Sequence, residues 1–222
     1  MSYLVKNKGI LLGQPGGSEA SPNYHDTIVN ALTWHRKMLD GALTQSIRQA
    51  TIFTEVAARL IETLCTGHKV LVAGNGGSAA EAQHFAAELV GRFKRERSPY
   101  AVLSLTTDTS ILTAIANDYG YQNVFARQVL ALGQAGDMLI AFSTSGESEN
   151  LVCAAAAARR CLMTVIAVTG DRPSRLGCLA DVTVRVPVVD TAITQELHMV
   201  VTHILCDIVE SELMSCEGDA GR

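Results

Sequence analysis

A histidine and a glutamate stand four residues apart, at His84 and Glu88, in a stretch rich in small residues. On a helix, this spacing places both side chains on the same face. An imidazole beside a carboxylate suits either a metal ion such as zinc or the transfer of a proton. A single pair of this kind is more often structural, so the chemical interpretation depends on partners elsewhere in the chain.

A second polar pair lies on the last predicted helix, at Gln195 and His203. Eight residues separate the two, so they lie two turns apart on neighbouring faces. They offer the same two chemistries as the first pair, and together the two pairs favour a metal or acid–base site. His198 is a competing candidate, with a structural role as its alternative.

The glycine-rich loop Gly74–Ser78 (GNGGS) follows the apolar run Val70–Ala73 and opens a helix. Its glycines let the backbone approach a ligand closely, and the first N–H groups of the helix lack partners and carry a partial positive charge. The spacing is not that of a dinucleotide loop, and the lysine of a P-loop is missing. The sequence leaves an anion cradle and a plain tight turn as alternatives.

Four hydroxyl side chains crowd into the loop Ser143–Ser148 (STSGES), which precedes a helix predicted over Asn150–Arg160. Hydroxyl and free N–H groups at a helix start can hold a phosphate dianion without a lysine. The alternative is that Ser148 acts only as an N-cap. Four hydroxyls exceed what capping requires, so the loop predicts a phosphate site.

Other polar positions have two interpretations each. Asn117 and Asp118 follow a helix predicted over Ser110–Ala116, and they either cap that helix or contact sugar hydroxyls. Arg92 is either solvated or reaches a substrate or a neighbouring subunit. The basic run that it begins, residues 92–97 (RFKRER), is interpreted as a solvated helix end.

Five short apolar runs predict five strands, and turn residues and then a helical segment follow each of the first four. Continuous apolar runs are typical of strands buried on both faces of a parallel sheet. The sequence therefore predicts an α/β fold with a doubly wound, five-stranded parallel sheet of the flavodoxin-like type, in which ligands bind beyond the carboxyl ends of the strands. The predicted strands are Val70–Ala73, Ala101–Leu105, Met138–Phe142, Thr164–Val168 and Val182–Val186.

Extra helices precede the predicted sheet. Apolar spacing of three to four residues predicts two helices over residues 25–66, with a break near Asp40–Gly41 and a stop at Gly67, and a last helix over Thr191–Leu213. The predicted divisions of the chain are a flexible extension over residues 1–24, a single domain over residues 25–214 and a flexible tail over residues 215–222.

The chain has 222 residues, of which 48% are hydrophobic and 18% charged, so a single domain with a full core is expected. A net charge of −4 and an aromatic content of 5% argue against nucleic-acid binding. Six cysteines without a C-x-x-C pair are interpreted as reduced and buried. Since no apolar run reaches ~18 residues and no signal-peptide pattern is seen, the sequence predicts a cytoplasmic protein with no membrane span.

Four motifs make the chain resemble the sugar isomerase (SIS) family from about His25 to Leu213. They are GNGGSAAEAQHFAAELVGRF, LTTDTSILTAIANDYGY, AFSTSGES and QELHMVVTHILCDIVE. No single motif is specific, but their combination is. Within the family, the motifs resemble most the members that act on a phosphorylated seven-carbon sugar. The resemblance departs at Ile193-Thr194, where the family often has a basic and then an aliphatic residue.

The resemblance implies an aldose–ketose isomerase that converts sedoheptulose 7-phosphate to D-glycero-D-manno-heptose 7-phosphate through an enediol, toward the heptose of lipopolysaccharide core. It implies a homotetramer with active sites between subunits and one zinc ion per subunit. We expect Glu88 to abstract the proton and His203 to be its acid–base partner. The implied zinc ligands are His84, Glu88, Gln195 and His203. The implied substrate contacts are Asn75, Gly76, Gly77, Ser78, Glu88, Asn117, Asp118, Ser143, Thr144, Ser145, Ser148 and Gln195.

Two alternatives stay open within the family. Non-catalytic SIS proteins bind the replication initiator DnaA, but they typically lack the catalytic glutamate and the last histidine, which are present here as Glu88 and His203. Other SIS enzymes or sensors act on amino-sugar phosphates or on N-acetylmuramic acid 6-phosphate. The combination of a His/Glu pair with a Gln/His pair argues for the isomerase instead.

Overall fold

Strands and helices alternate along the chain, as the sequence predicts. The structure is a computed structural model, and it describes residues 24–220. The predicted extension over residues 1–24 therefore lies outside the described residues, except for Tyr24. The strands are β1 (Val70–Gly74), β2 (Val102–Ser104), β3 (Met138–Ser143), β4 (Thr164–Thr169) and β5 (Val182–Arg185). The helices are α1 (Tyr24–Ile47), α2 (Ala50–Cys65), α3 (Gly77–Val90), α4 (Thr109–Tyr119), α5 (Ala126–Leu132), α6 (Glu149–Arg160), α7 (Arg175–Leu179) and α8 (Thr191–Ala220), with a 3₁₀ turn at Tyr121–Asn123.

All five strands pair in parallel, in the order β2-β1-β3-β4-β5. This order confirms the predicted doubly wound, flavodoxin-like sheet. The chain turns outward in opposite directions from the neighbouring strands β1 and β3, and a crevice forms at their carboxyl ends. The two loops that the sequence singles out, Gly74–Ser78 and Ser143–Ser148, leave these two strands.

The sheet is buried on both faces. Every residue of β1 and β3 is buried, which is why their sequences are continuous apolar runs. One core cluster packs between the sheet and α2, α3 and α8, and the other between the sheet and α5, α6 and α7. Because α3 and α8 lie on the same face, the histidine–glutamate pair and the glutamine–histidine pair are carried by helices that pack together.

The predicted break near Asp40–Gly41 is wrong. Helix α1 runs unbroken through these residues, and the chain turns only at Arg48-Gln49. A glycine inside a helix costs only about 0.5–1 kcal/mol relative to alanine, and the neighbouring Ala42 is buried against the core. The predicted stop at Gly67 is confirmed, since α2 ends at Cys65 and Gly67 has a φ of 81°.

Helix α8 is longer than its pattern predicts. It continues past Leu213 to Ala220, through most of the segment interpreted as a tail. Residues 191–215 are also long and apolar enough to cross a membrane, with a mean hydropathy of 1.2, which the sequence analysis did not anticipate. Half of the most apolar window is buried inside the fold. The helix packs against α2 and α3, as the core helix of a globular domain does.

The expectation of buried cysteines is mostly wrong. Among the cysteines whose side chains the structure describes, none forms a disulfide, as expected, yet only Cys206 is buried. Burial raises the pKa of the Cys206 thiol to about 12, so this thiol stays protonated at neutral pH.

The basic run is solvated only in part, since Arg92, Lys94 and Glu96 are exposed as predicted, and it is not a helix end. Helix α3 ends at Val90, and residues 92–97, here called the basic loop, fold back over α8. The side chain of Arg97 is only 1% exposed and faces the carboxylate of Glu210, which is fully buried. A segment whose charge predicts solvation is therefore held against the core by a buried ion pair.

Candidate functional site

A pair of amide side chains joins the glycine-rich loop to the first turn of α6. Asn75 Nδ2 donates to Asn150 Oδ1 at 2.9 Å, and Asn150 Nδ2 donates back to Asn75 Oδ1 at 2.8 Å. The hydroxyl of Tyr121 donates to the same Asn75 oxygen at 3.1 Å. With Ser148, these residues line an open depression of about 600 Å³. The glycine-rich loop is therefore held against the start of α6, the helix that the hydroxyl-rich loop precedes.

The hydroxyl-rich loop curls on itself at the start of α6. The Ser143 hydroxyl accepts a hydrogen bond from the Gly146 backbone N–H at 3.0 Å, and the Ser145 hydroxyl accepts one from Glu147 at 3.1 Å. Ser148 occupies the N-cap position, but its side chain makes no capping hydrogen bond. Capping therefore does not account for the Ser148 hydroxyl. The loop presents hydroxyl groups at a helix N-terminus, which is a suitable environment for an anion.

Two carboxylates beside the same loop contact one arginine. Arg175 Nη1 donates to Glu149 Oε2 at 2.6 Å, and the Arg175 backbone N–H donates to Glu147 Oε1 at 2.9 Å. The hydrogen bond from Arg175 holds the pKa of Glu149 below its ordinary value. The guanidinium thus offsets negative charge that would otherwise repel a phosphate at the start of α6.

The sequence-predicted His84, Glu88 and His203 meet at one point between α3 and α8. His84 Nε2 lies 3.0 Å from His203 Nε2 and 3.0 Å from Glu88 Oε1. Potential ligand atoms of the three side chains all lie within 4.8 Å of one another. Glu88 is 21% exposed and His84 is 40% exposed, so the cluster lies at the surface of the subunit within reach of a ligand.

Two imidazoles and one carboxylate form a donor set that suits zinc. Neighbouring ligand atoms around a tetrahedral zinc ion with bonds of about 2.0–2.1 Å lie roughly 3.3 Å apart. The two 3.0 Å separations come close to this spacing without any movement of the backbone. The cluster therefore fits a zinc ion, and it fits a proton-transfer pair equally well.

Gln195 lies beside this cluster. It lines a cleft of about 460 Å³ together with Gly77, Glu81 and His84. A Cβ at Gly77 would overlap the side-chain amide of Gln195, so only glycine leaves room for that amide at the start of α3. The glycine-rich loop thus leaves room for Gln195 and also opens the helix that carries His84 and Glu88.

The competing candidate His198 lies in the interior of the fold. Its side chain is fully buried, and its Nδ1 lies 3.3 Å from the carboxylate of Glu81. Ile193 and Thr194, where the chain departs from the family pattern, are also buried and form part of the packing of α8. The departure therefore faces the core rather than the cleft.

Among the described residues, the side-chain hydrogen bond that Asn117 and Asp118 make joins them to each other and to neither loop. They lie inside the last turn of α4 rather than after it, and both are exposed. Asn117 Nδ2 donates to Asp118 Oδ1 at 2.7 Å. A substrate contact from this pair stays a prediction.

Several residues of the site were missed by the sequence analysis. Asn150 and Tyr121 hold Asn75, and the Arg175 side chain pairs with Glu149 at the start of α6. An available signal for Asn150 was its position two residues after the hydroxyl-rich loop. The role of Arg175 depends on a contact across 26 residues, and no local pattern predicts it.

Fold and site together define a domain of the SIS type. The family model described as "SIS domain" matches residues 36–170, which is more than half of the chain. The matched span contains β1 to β4 and both loops of the crevice, as well as the His84–Glu88 pair.

The comparisons with individual proteins narrow this class. The chain is 52% identical over 165 residues to phosphoheptose isomerase of Roseiflexus sp., covering 74% of this chain and 84% of that protein. It is 45% identical over 186 residues to phosphoheptose isomerase of Burkholderia pseudomallei, covering 84% and 94%. The solved phosphoheptose isomerase of Neisseria gonorrhoeae superposes with a TM-score of 0.77 at 39% identity, covering 85% of this chain and 99% of that one. The chain belongs to the phosphoheptose isomerases of the SIS family, and it is an isomerase enzyme.

Proposed function

We propose that the protein converts sedoheptulose 7-phosphate to D-glycero-D-manno-heptose 7-phosphate as an aldose–ketose isomerase. The observation that carries this proposal is the meeting of His84, Glu88 and His203 within 4.8 Å, on the helices that flank the crevice. The names of the relatives support a phosphorylated heptose as the substrate. The aldose product feeds the synthesis of heptose for lipopolysaccharide core, and the enzyme works in the cytoplasm.

The phosphate group binds at the loop Ser143–Ser148. Its hydroxyls, the start of α6 and the uncommitted Ser148 side chain support this assignment. Hydrogen bonds from hydroxyl and N–H groups to a dianion are charge-assisted and therefore stronger than those to a neutral group. In this arrangement Thr144 and Ser145 also line the adjoining cleft of about 240 Å³, which extends away from the loop toward the start of α8.

In the proposed reaction, Glu88 and His203 transfer the protons. Glu88 takes the proton from C1 of the ketose while His203 protonates the C2 carbonyl oxygen, and an enediol forms. His203 then takes the proton from the C1 hydroxyl, and Glu88 returns its proton to C2. The aldose leaves, and both side chains regain their starting protonation states.

Zinc binds at the same cluster, one ion per subunit, with His84, Glu88, Gln195 and His203 as its ligands. The donor set and the two 3.0 Å separations support this assignment. When bound, zinc would polarise the oxygens at C1 and C2 of the sugar. Glu88 is then shared between holding the ion and moving the proton.

A homotetramer completes the active sites at subunit boundaries. Helix α1 has 24 residues, yet only Ala42 is buried, and α4 has no buried residue at all. An apolar groove of about 400 Å³ runs between α1, α2 and α8 and includes Leu43, Phe53 and Ile204. These surfaces support packing against other copies of the chain, which would also bring Asn117 and Asp118 of one subunit toward a site.

The test is to incubate the purified protein with sedoheptulose 7-phosphate in D₂O, with and without a chelator, and to follow the sugar by proton NMR. An aldose 7-phosphate that carries deuterium at C2 supports the isomerase and the enediol route. Loss of turnover in the chelator arm, restored by zinc, supports the metal assignment. Neither conversion nor exchange in a folded, zinc-supplied protein would overturn the proposal, and binding to DnaA would then be measured.

A further inference from the structure

Glu210 on α8 binds the basic loop through its backbone. The carboxylate is fully buried, and it accepts hydrogen bonds from the N–H groups of Phe93 at 2.9 Å, Lys94 at 2.8 Å and Arg95 at 3.0 Å. Burial alone would raise the pKa of Glu210, but these N–H groups and the guanidinium of Arg97 lower it below its ordinary value. The carboxylate is therefore ionised at neutral pH, and it fixes three consecutive residues of the loop.

Arg97 connects the same carboxylate to the end of α3. Its Nε lies 3.3 Å from Glu210 Oε1. Its Nη2 donates to the carbonyl oxygen of Glu88 at 2.9 Å, and its Nη1 donates to that of Gly91 at 3.0 Å. The last carbonyls of a helix lack intrahelical donors and carry a partial negative charge. A buried guanidinium at this position satisfies them and stabilises the turn that carries Glu88.

Phe93 connects the loop to His203. The two rings are stacked, with centroids 5.5 Å apart and planes inclined by 22°. The other neighbour of the imidazole is His84, whose ring approaches it edge-on at 5.2 Å. Phe93 thus covers one flat face of the His203 ring and restricts its rotation about χ2, and the N–H of Phe93 is itself held by Glu210.

We infer that the basic loop, held by Glu210, is a positioning device that orients Glu88 through Arg97 and His203 through Phe93. This inference rests on the proposed roles of Glu88 and His203 in proton transfer. Proton transfer is sensitive to distance, and a misplacement of about 1 Å can lower turnover by up to roughly 10²-fold. The hydrogen bonds and ion pairs described for the basic loop join it to α3 and α8 and not to the hydroxyl-rich loop, so substrate binding is expected to be largely independent of it.

The test compares Phe93→Leu with Phe93→Tyr and with the control Phe125→Leu. Phe93→Leu removes the ring but leaves the backbone hydrogen bonds to Glu210, so the loop stays in place. Phe125 is a buried ring in the other core cluster, away from His203. We expect Phe93→Leu to lower kcat by about 10- to 100-fold with KM changed less than about threefold. Phe93→Tyr keeps the stacked ring and is expected to restore kcat.

Two results would overturn the inference. One is a Phe93→Leu enzyme with a kcat within twofold of wild type. The other is an equal loss of kcat in Phe93→Leu and Phe125→Leu, since a general loss of stability then explains both. Glu88→Gln is assayed beside them, because full activity of that variant means that the proposed proton transfer is wrong, whatever the Phe93 variants do.

Discussion

Nε2 of His84 lies 3.0 Å from Nε2 of His203, although the two residues are 119 positions apart in the chain. Helices α3 and α8 pack together on one face of the sheet, and this contact brings the two polar pairs of the sequence into a single cluster. A short separation between two nitrogens requires either one shared proton or a common cation. This relationship makes the cluster, rather than either loop, the centre of the proposed chemistry.

Replacing either proton-transfer residue is expected to remove most of the activity. Glu88→Gln and His203→Gln keep similar side-chain volumes, so we expect kcat to fall by about 10²- to 10⁴-fold with little change in Tm. The measurement is the steady-state rate with sedoheptulose 7-phosphate. Glu55→Gln, on the exposed face of α2, is the matched control and is expected to match wild type. Near-normal rates in either site variant contradict the assignment.

Zinc binding is expected to depend on His84. Isothermal titration of the metal-free protein with zinc should show one site per chain, with an affinity at least about 10-fold lower in His84→Gln. His35→Gln removes an exposed imidazole on α1 and serves as the control. Equal affinities for the wild type and His84→Gln would place the metal elsewhere. This readout does not depend on turnover.

Ser148→Ala is expected to weaken phosphate binding without changing stability. Its side chain makes no capping hydrogen bond, so the fold loses nothing with it. A hydrogen bond to a charged group is worth about 1.5–3 kcal/mol, which corresponds to a rise in KM of roughly 10- to 100-fold. Kinetics and thermal melts of Ser148→Ala are compared with those of Ser215→Ala, an exposed serine near the end of α8. A fall in Tm with unchanged KM would restore the capping interpretation.

Of two glycine-to-alanine substitutions, one is expected to lower activity and the other to raise stability. A Cβ at Gly77 overlaps the amide of Gln195, so Gly77→Ala displaces that side chain and lowers kcat/KM. A Cβ at Gly41 meets nothing within 4 Å, and an alanine inside α1 is expected to stabilise the fold by about 0.5–1 kcal/mol. Activity assays and urea unfolding of both variants check the pair. Unchanged activity in Gly77→Ala would mean that Gln195 has no role in the active site.

Because Glu210 is buried and ionised, we expect the free energy of unfolding to depend on pH in the acidic range. Its pKa in the folded state lies below the ordinary value of 4.5, so its contribution is present above pH 4.5 and is lost as the pH falls through the folded-state pKa. We expect the free energy of unfolding to fall on acidification, and to fall less steeply in Glu210→Gln, which is also less stable at neutral pH. Urea unfolding between about pH 3 and about pH 7 measures both slopes. Identical slopes would mean that Glu210 is not ionised in the native protein.

Local sequence patterns were sufficient to predict the strands and the two loops that follow β1 and β3. Strands β1 and β3 are buried on both faces, so their sequences are continuous apolar runs. The loops that follow them carry glycines and hydroxyls where the chain turns from a strand into the start of a helix. The same reasoning failed for the break in α1. Gly41 is tolerated in the helix because nothing crowds its position and Ala42 packs beside it.

By itself, the sequence determined the parallel sheet, the helical spacing of His84 and Glu88, and the hydroxyl-rich loop, since each depends on residues that are close together in the chain. Only the tertiary structure decided that His203 joins the first pair while His198 is buried against Glu81. It also decided that the basic run folds onto Glu210, because a charge run looks solvated until a buried carboxylate more than 100 residues away accepts its N–H groups. Contacts between distant segments depend on how helices pack across the sheet, and no local spacing records that packing.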